Sequence, residues 1–277
     1  MDLHRNVHHQ PPLLERQFAK LITAVFASIA LLTACMSTEQ PPQYTYEASA
    51  TAYYDVVNAQ KSALENGKLL LVVLGAQWCH DSTGLAKRFQ TQEMQPILTS
   101  HYETIFVDVG LLEDRRAITQ RFDYPTYYAT PTVMIVDPAS GALLNRASMA
   151  IWGRADSIAL ADYVDYFTKF AQLSDKQKLP MMNWQADPQV AAYDTQHAAR
   201  LQKAYDLLGP LLQKDIAGEP PEGFYDLWKE VRGYRSDLQE TMVKRAETQL
   251  EQNGNGKTDA QVAPALRHYH PFSWESK

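Results

Sequence analysis

The stretch Leu69-Leu70-Leu71-Val72-Val73-Leu74-Gly75-Ala76-Gln77-Trp78-Cys79-His80-Asp81-Ser82 decides the fold. Leu69 to Leu74 is a continuous apolar run, the pattern of a strand buried on both faces. A Trp-Cys pair follows, and Leu85 and Phe89 then fall at helical spacing. Cys79 therefore stands where a strand gives way to a helix. A second cysteine three positions on would make a redox dithiol; that position is Ser82. The site keeps one candidate attacking thiol and lacks the neighbour that would release a mixed disulfide.

Upstream, Tyr53, Val56, Val57, Ala63 and Leu64 recur at helical spacing until Asn66-Gly67 stops the pattern. Downstream, Met94 and Ile97 continue the helical signal, Tyr102 to Val109 predicts a strand, and Arg115 to Phe122 a short helix. Thr132 to Val136 predicts another strand. The turn formers Asp137-Pro138-Ala139-Ser140-Gly141 then predict a hairpin to a strand at Ala142 to Ala147. Ala155 to Phe170 predicts a closing helix, with Ile158, Leu160, Val164 and Phe167 on one face. This alternation indicates an α/β layered domain.

Beyond Leu173 the pattern is helix without strand. Val190, Tyr193, His197, Leu201, Tyr205 and Leu208 keep helical spacing until Gly209-Pro210, where a break is expected; Phe224, Trp228, Val231, Leu238, Met242 and Leu250 form a second segment. Asn253-Gly254-Asn255-Gly256 marks a flexible break before an irregular tail. The organisation predicted is a signal over 1–34, a tether over 35–50 with little to bury, an α/β domain over 51–172, and a helical extension with its tail over 173–277.

Arg16 and Lys20 precede an uncharged apolar run from Leu21 to Ala34, short for a membrane span and of the size of a signal-peptide core. Leu32-Thr33-Ala34-Cys35 resembles the bacterial lipoprotein signal, which implies cleavage before Cys35 and lipidation of its sulfur. The alternative is an ordinary secretory signal or short anchor with an incidental cysteine. Lipidation leaves Cys79 as the sole thiol of the mature chain, which has two cysteines in all. Acyl chains at Cys35 imply a membrane surface. Met36 stands where the lipoprotein family's inner-membrane retention signal has Asp, which favours the outer membrane.

The order of elements, Trp78-Cys79 and Thr130-Pro131-Thr132 together resemble the thioredoxin superfamily over about residues 50–172. The resemblance implies a thioredoxin-like fold with an all-helical C-terminal extension. It implies that Cys79 caps a helix, and that Pro131 is cis and lies beside Cys79. It further implies that the Thr130 backbone is exposed to pair with a bound peptide and that Trp78 lies at the rim. Dithiol members commonly carry a buried carboxylate on the preceding strand; the matching position here is Val73.

A cysteine at a helix N-terminus meets the positive end of the dipole and unpaired backbone donors, which favour the thiolate. His80 is a candidate helper if protonated, and the charge of Asp81 opposes that benefit. Without a resolving cysteine, Cys79 is confined to intermolecular exchange with exported cysteine-containing proteins, or to capture or reversible capping. The competing function is a redox-inactive scaffold that binds another envelope protein. Ser82 has a purely structural alternative as a helix-start residue, and Tyr124-Pro125-Thr126-Tyr127-Tyr128 is either packing or a rim for substrate peptide. His268, His270 and Trp274 complete no recognised metal spacing, no organic cofactor is called for, and a formal charge of −6 with no basic block argues against nucleic acid.

Overall fold

The computed structural model describes residues 43–255 and 263–275. The signal over 1–34, Cys35 and the first part of the tether lie outside the described residues. The apolar run forms β1 (Leu69–Gly75), and every residue of it is buried. β1 is the middle strand of a three-stranded sheet, parallel to β2 (Tyr102–Asp108) and antiparallel to β3 (Thr132–Val136). A central strand has two covered faces, which is why its sequence is apolar at every position rather than at alternate ones.

Side-chain alternation divides β1 between two cores. Leu70, Val72 and Leu74 face Val56 and Ala63 of α1 (Ala52–Glu65), together with apolar residues of the C-terminal helices. Leu69, Leu71 and Val73 face Leu85 and Phe89 of α2 (His80–Phe89), Leu98 of α3 (Met94–His101), and Tyr163 and Phe167 of α5 (Leu160–Ala171). The short α4 (Arg116–Gln120) lies between β2 and β3. α1 ends where predicted, with Gly67 at φ +64°, a conformation that glycine adopts without a steric penalty.

Three expectations are corrected. Residues 43–50 have something to bury: Tyr44 and Tyr46 are in the core, and Tyr44 packs on Phe89 and Phe106 at ring separations of 5.5 Å. The predicted hairpin stops after a single bridge, Val136 to Leu143. The Asn145 side chain then takes over the pairing of β3: its Oδ1 accepts from the Ile135 amide and its Nδ2 donates to the Val133 carbonyl, both at 2.9 Å. With β3 satisfied by a side chain, the backbone is free to turn away into 3-10 turns over Arg146–Ser157, kinked at Arg154, so the closing helix begins only at Leu160.

The third correction concerns Gly209-Pro210. After α6 (Asp175–Met182), α7 runs unbroken over Pro188–Ile216. Pro210 removes one helical hydrogen bond, but it and Asp206, whose carbonyl it frees, lie on the exposed face, where water is at hand. Leu201, Tyr205, Leu208 and Leu212 hold the other face to the core. Gly209 lets the helix close on the Leu111 carbonyl, to which an added Cβ would approach within 2.5 Å. α8 (Phe224–Asn255) packs against α7 and the 3-10 segment. The irregular tail is pinned on these helices through Phe272, which is buried, and Glu275, which pairs with Arg200 at 2.8 Å.

Candidate functional site

β1 delivers Cys79 to the N-terminus of α2. Its amide donates to the Ala76 carbonyl, closing the turn, and its own carbonyl accepts from the Thr83 amide at 3.0 Å as the first helical bond. Cys79 is the N-cap residue, but its side chain makes no capping hydrogen bond. The sulfur turns instead toward the chain entering β3: S–H donates to the Thr130 carbonyl at 3.1 Å, and the Thr130 hydroxyl donates to the sulfur at 3.3 Å. The Thr130–Pro131 peptide is cis. Because β3 runs antiparallel to β1, its start and the end of β1 meet at one edge of the sheet, which is what brings Thr130 to Cys79.

The other motif residues separate into distinct roles. Trp78 is half-buried and its Nε1 donates to the Gly110 carbonyl at 2.7 Å, tying the motif loop to the end of β2. His80 is exposed; its Nε2 lies 3.2 Å from Asp81 Oδ2, and no hydrogen bond joins it to the sulfur. Asp81 is turned away from the thiol, with Oδ1 accepting from the Asp156 amide at 3.1 Å, so it anchors α2 to the 3-10 segment.

Ser82 is fully buried and does not cap the helix. Its Oγ faces the Tyr46 hydroxyl, close enough to influence it, yet neither completes a well-formed hydrogen bond. Burial pushes the Tyr46 hydroxyl well above its ordinary value, against the smaller opposing effect of Ser82. A Cβ on Gly75 would fall 2.6 Å from both Ser82 Oγ and the Tyr46 ring. The space around the second motif position is therefore filled. Val73, at the position matching that buried carboxylate, is fully buried among apolar neighbours.

Sequence reasoning missed what lies over this face. Thr130 is only 3% exposed and Cys79 8%, so the expectation of a Thr130 backbone open to a peptide is corrected. Trp78 meets Trp228 of α8 edge-on, with ring centroids 5.9 Å apart. Tyr205 of α7 stacks on Tyr127 at 5.2 Å and its hydroxyl donates to the Tyr127 and Tyr128 carbonyls. Tyr124, Tyr127 and Tyr128 are all buried, so the aromatic cluster packs beneath the extension and forms no open rim. Trp228 and Tyr205 were visible as helix-face residues, but nothing local in the chain connected them with Cys79.

Residues 51–138 match the family model described as Thioredoxin-like. The fold is thioredoxin-like. The match ends before the 3-10 segment, so the helices that cover the thioredoxin-like domain lie beyond it. The crystal structure of a disulphide isomerase from Xylella fastidiosa Temecula1 is similar over 46% of this chain and 96% of that one, at 23% identity and a TM-score of 0.41. No curated protein matches the chain.

Elsewhere, the His268 and His270 rings lie 5.9 Å apart, and among the described residues no group of three or more His, Cys, Asp or Glu is arranged to hold a metal. Trp274 stacks on Phe272 at 4.4 Å. No described helix is long and apolar enough to cross a membrane.

Proposed function

We propose that this protein is an exported, lipid-anchored monothiol protein that exchanges disulfides with, or captures, cysteine-containing proteins of the cell envelope. Cys79 is the nucleophile, Thr130 and Pro131 wall the inner side of its sulfur, and Trp78 shapes its approach. The observation that carries this reading is the position of the sulfur, between the first turn of α2 and the cis Thr130–Pro131 peptide. Residues 1–35 add the anchor: lipid on Cys35 would hold the domain at a membrane surface, with Met36 favouring the outer membrane.

In the exchange, Cys79 gives its proton to water and its sulfur attacks a partner disulfide. That S–S bond breaks, a mixed disulfide forms, and the second partner sulfur leaves as thiolate. A further partner thiol, or an external one, then displaces Cys79 and restores its thiolate. When the displacing thiol belongs to the partner, the cycle is redox-neutral isomerisation.

A second reading, a redox-inactive scaffold, is favoured by the burial of Cys79 and Thr130 and by the packing of α8 on Trp78 and of α7 on Tyr127. Trapping separates the two. Envelope extracts quenched with acid and resolved without reductant will contain disulfide-linked adducts of the full chain that disappear in Cys79→Ser. Identical adduct patterns in the two proteins would refute thiol exchange and leave the scaffold.

A further inference from the structure

Trp228, Val231 and Arg235 recur at i, i+3 and i+7 on α8 and share one helix face. Trp228 meets Trp78, the residue before the thiol. Val231 is buried. The Arg235 guanidinium lies 5.9 Å from the Trp228 ring centroid and donates to the Tyr205 hydroxyl at 3.3 Å, which in turn bonds to the carbonyls just ahead of Thr130. This one stripe therefore spans from the motif tryptophan to the chain entering the cis peptide.

The stripe has two chemical peculiarities. Trp78 and Trp228 are both only half-buried, packed on the core edge rather than within it. Their contact is edge-to-face, a geometry that an aromatic group of a partner reproduces against Trp78. Arg235, in turn, has no carboxylate among the groups that act on it most. Burial opposes its charge, and Tyr205, Cys79 and Tyr127 together outweigh that and hold it above its ordinary value. Among the described residues the half-buried Arg235 forms no ion pair with a carboxylate, its contacts being the Tyr205 hydroxyl and the Trp228 ring, and a guanidinium so placed is favourable ground for an incoming anion.

We propose that the Trp228–Val231–Arg235 stripe occupies the partner-binding face in cis, and that the partner admitted to Cys79 carries an aromatic and an acidic group beside its reactive disulfide. This rests on the thiol-exchange reading and names the chemistry of its partner. An aromatic group replaces the edge contact that Trp228 gives Trp78, and a carboxylate pairs with Arg235.

Two small disulfides test it on the full chain. The probe 5,5′-dithiobis(2-nitrobenzoate) is an aromatic dianion, and cystamine is an aliphatic dication; each forms a mixed disulfide with Cys79 and releases its other half as a thiol. The wild type will prefer the aromatic dianion by about tenfold or more beyond the preference of an unstructured cysteine peptide, a difference of about 1.4 kcal/mol. Arg235→Met will reduce the ratio to that of the peptide, and Arg235→Lys will retain part of it. Trp228→Ala will raise the rate with both probes.

Tyr163→Phe serves as the stability control. It removes the hydrogen bond from Tyr163 to the Ala155 carbonyl in the core on the other face of the sheet. An unchanged ratio in Arg235→Met would overturn the proposal. So would a Trp228→Ala rate no higher than that of Tyr163→Phe at matched urea stability. Absence of trapped envelope partners alongside the expected probe ratios would instead refute the exchange function and leave the assignment of the stripe standing.

Discussion

Replacing Asn145 by alanine tests the most unusual piece of pairing in the sheet. The side chain is 1% exposed and serves both a donor and an acceptor of β3, the Ile135 amide and the Val133 carbonyl, while its Nδ2 also reaches the Tyr166 hydroxyl at 3.0 Å. Tyr166 keeps a partner in Ser148, so its loss is small. Ile135 and Val133 are fully buried, which leaves their two backbone groups with neither protein nor water. Each buried unsatisfied group costs about 1–3 kcal/mol, which puts Asn145→Ala at about 4 kcal/mol of lost stability. That is a large share of the ~5–15 kcal/mol by which domains are stable.

The measurement is equilibrium urea unfolding at pH 7, followed by tryptophan fluorescence and far-UV circular dichroism so that the two probes check two-state behaviour. Asn145→Asp gives an internal control. It keeps an acceptor for Ile135 but sets a carboxylate oxygen against the Val133 carbonyl, so it will cost at least as much as alanine. A loss below ~1 kcal/mol in Asn145→Ala, the net worth of an ordinary hydrogen bond, would refute the argument that Asn145 completes the edge of β3.

Gly209→Ala will destabilise the protein by about 2 kcal/mol, because the new Cβ meets the Leu111 backbone oxygen at 2.5 Å and this overpacking exceeds the ~1 kcal/mol gain in helix propensity; a raised urea midpoint would refute it. Burial lifts the Asp194 carboxyl from 3.8 to about 6, against the smaller opposing effects of the Tyr128 hydroxyl and Arg146. A raised folded-state value means that its stabilising contribution is whole below pH 3.8 and is lost as pH rises through about 6. Asp194→Asn, which keeps an acceptor for Tyr128, will flatten that slope and gain up to about 3 kcal/mol at pH 7.5 relative to wild type; an unaltered pH–stability profile would contradict it.

The residues that were legible in the sequence are those whose neighbours are close in the chain or whose burial is complete. The apolar run of β1, the stop at Asn66-Gly67 and the Trp78-Cys79 turn into α2 all follow from local pattern. The hairpin after β3 was misread because a side chain, Asn145, does there what strand backbone usually does, and composition does not distinguish the two. Gly209-Pro210 was misread as a break because local propensity was outweighed by the tertiary burial of Tyr205 and Leu208 and by the close approach to Leu111. At the site, Cys79, Thr130 and Pro131 were identified from their motifs. Trp228 and Arg235 were not, since a helix some 150 positions later in the chain brings them only to Trp78 and Tyr205, by tertiary packing.

The packing of Gly75, Tyr46 and Ser82 bears on which side chains position 82 accepts. An oxygen at position 82 already lies where a methyl group on Gly75 could not fit, with the Tyr46 ring closing the same space. Sulfur is larger than oxygen and sits on a longer bond, so a cysteine at Ser82 draws on the space that the missing Cβ of Gly75 leaves, beside the Tyr46 ring. The Tyr46 side of that space is set by a segment more than thirty residues upstream. Gly75, Tyr46 and Ser82 thus share one small space, and a bulkier side chain at any one of the three has to be matched by change at the other two.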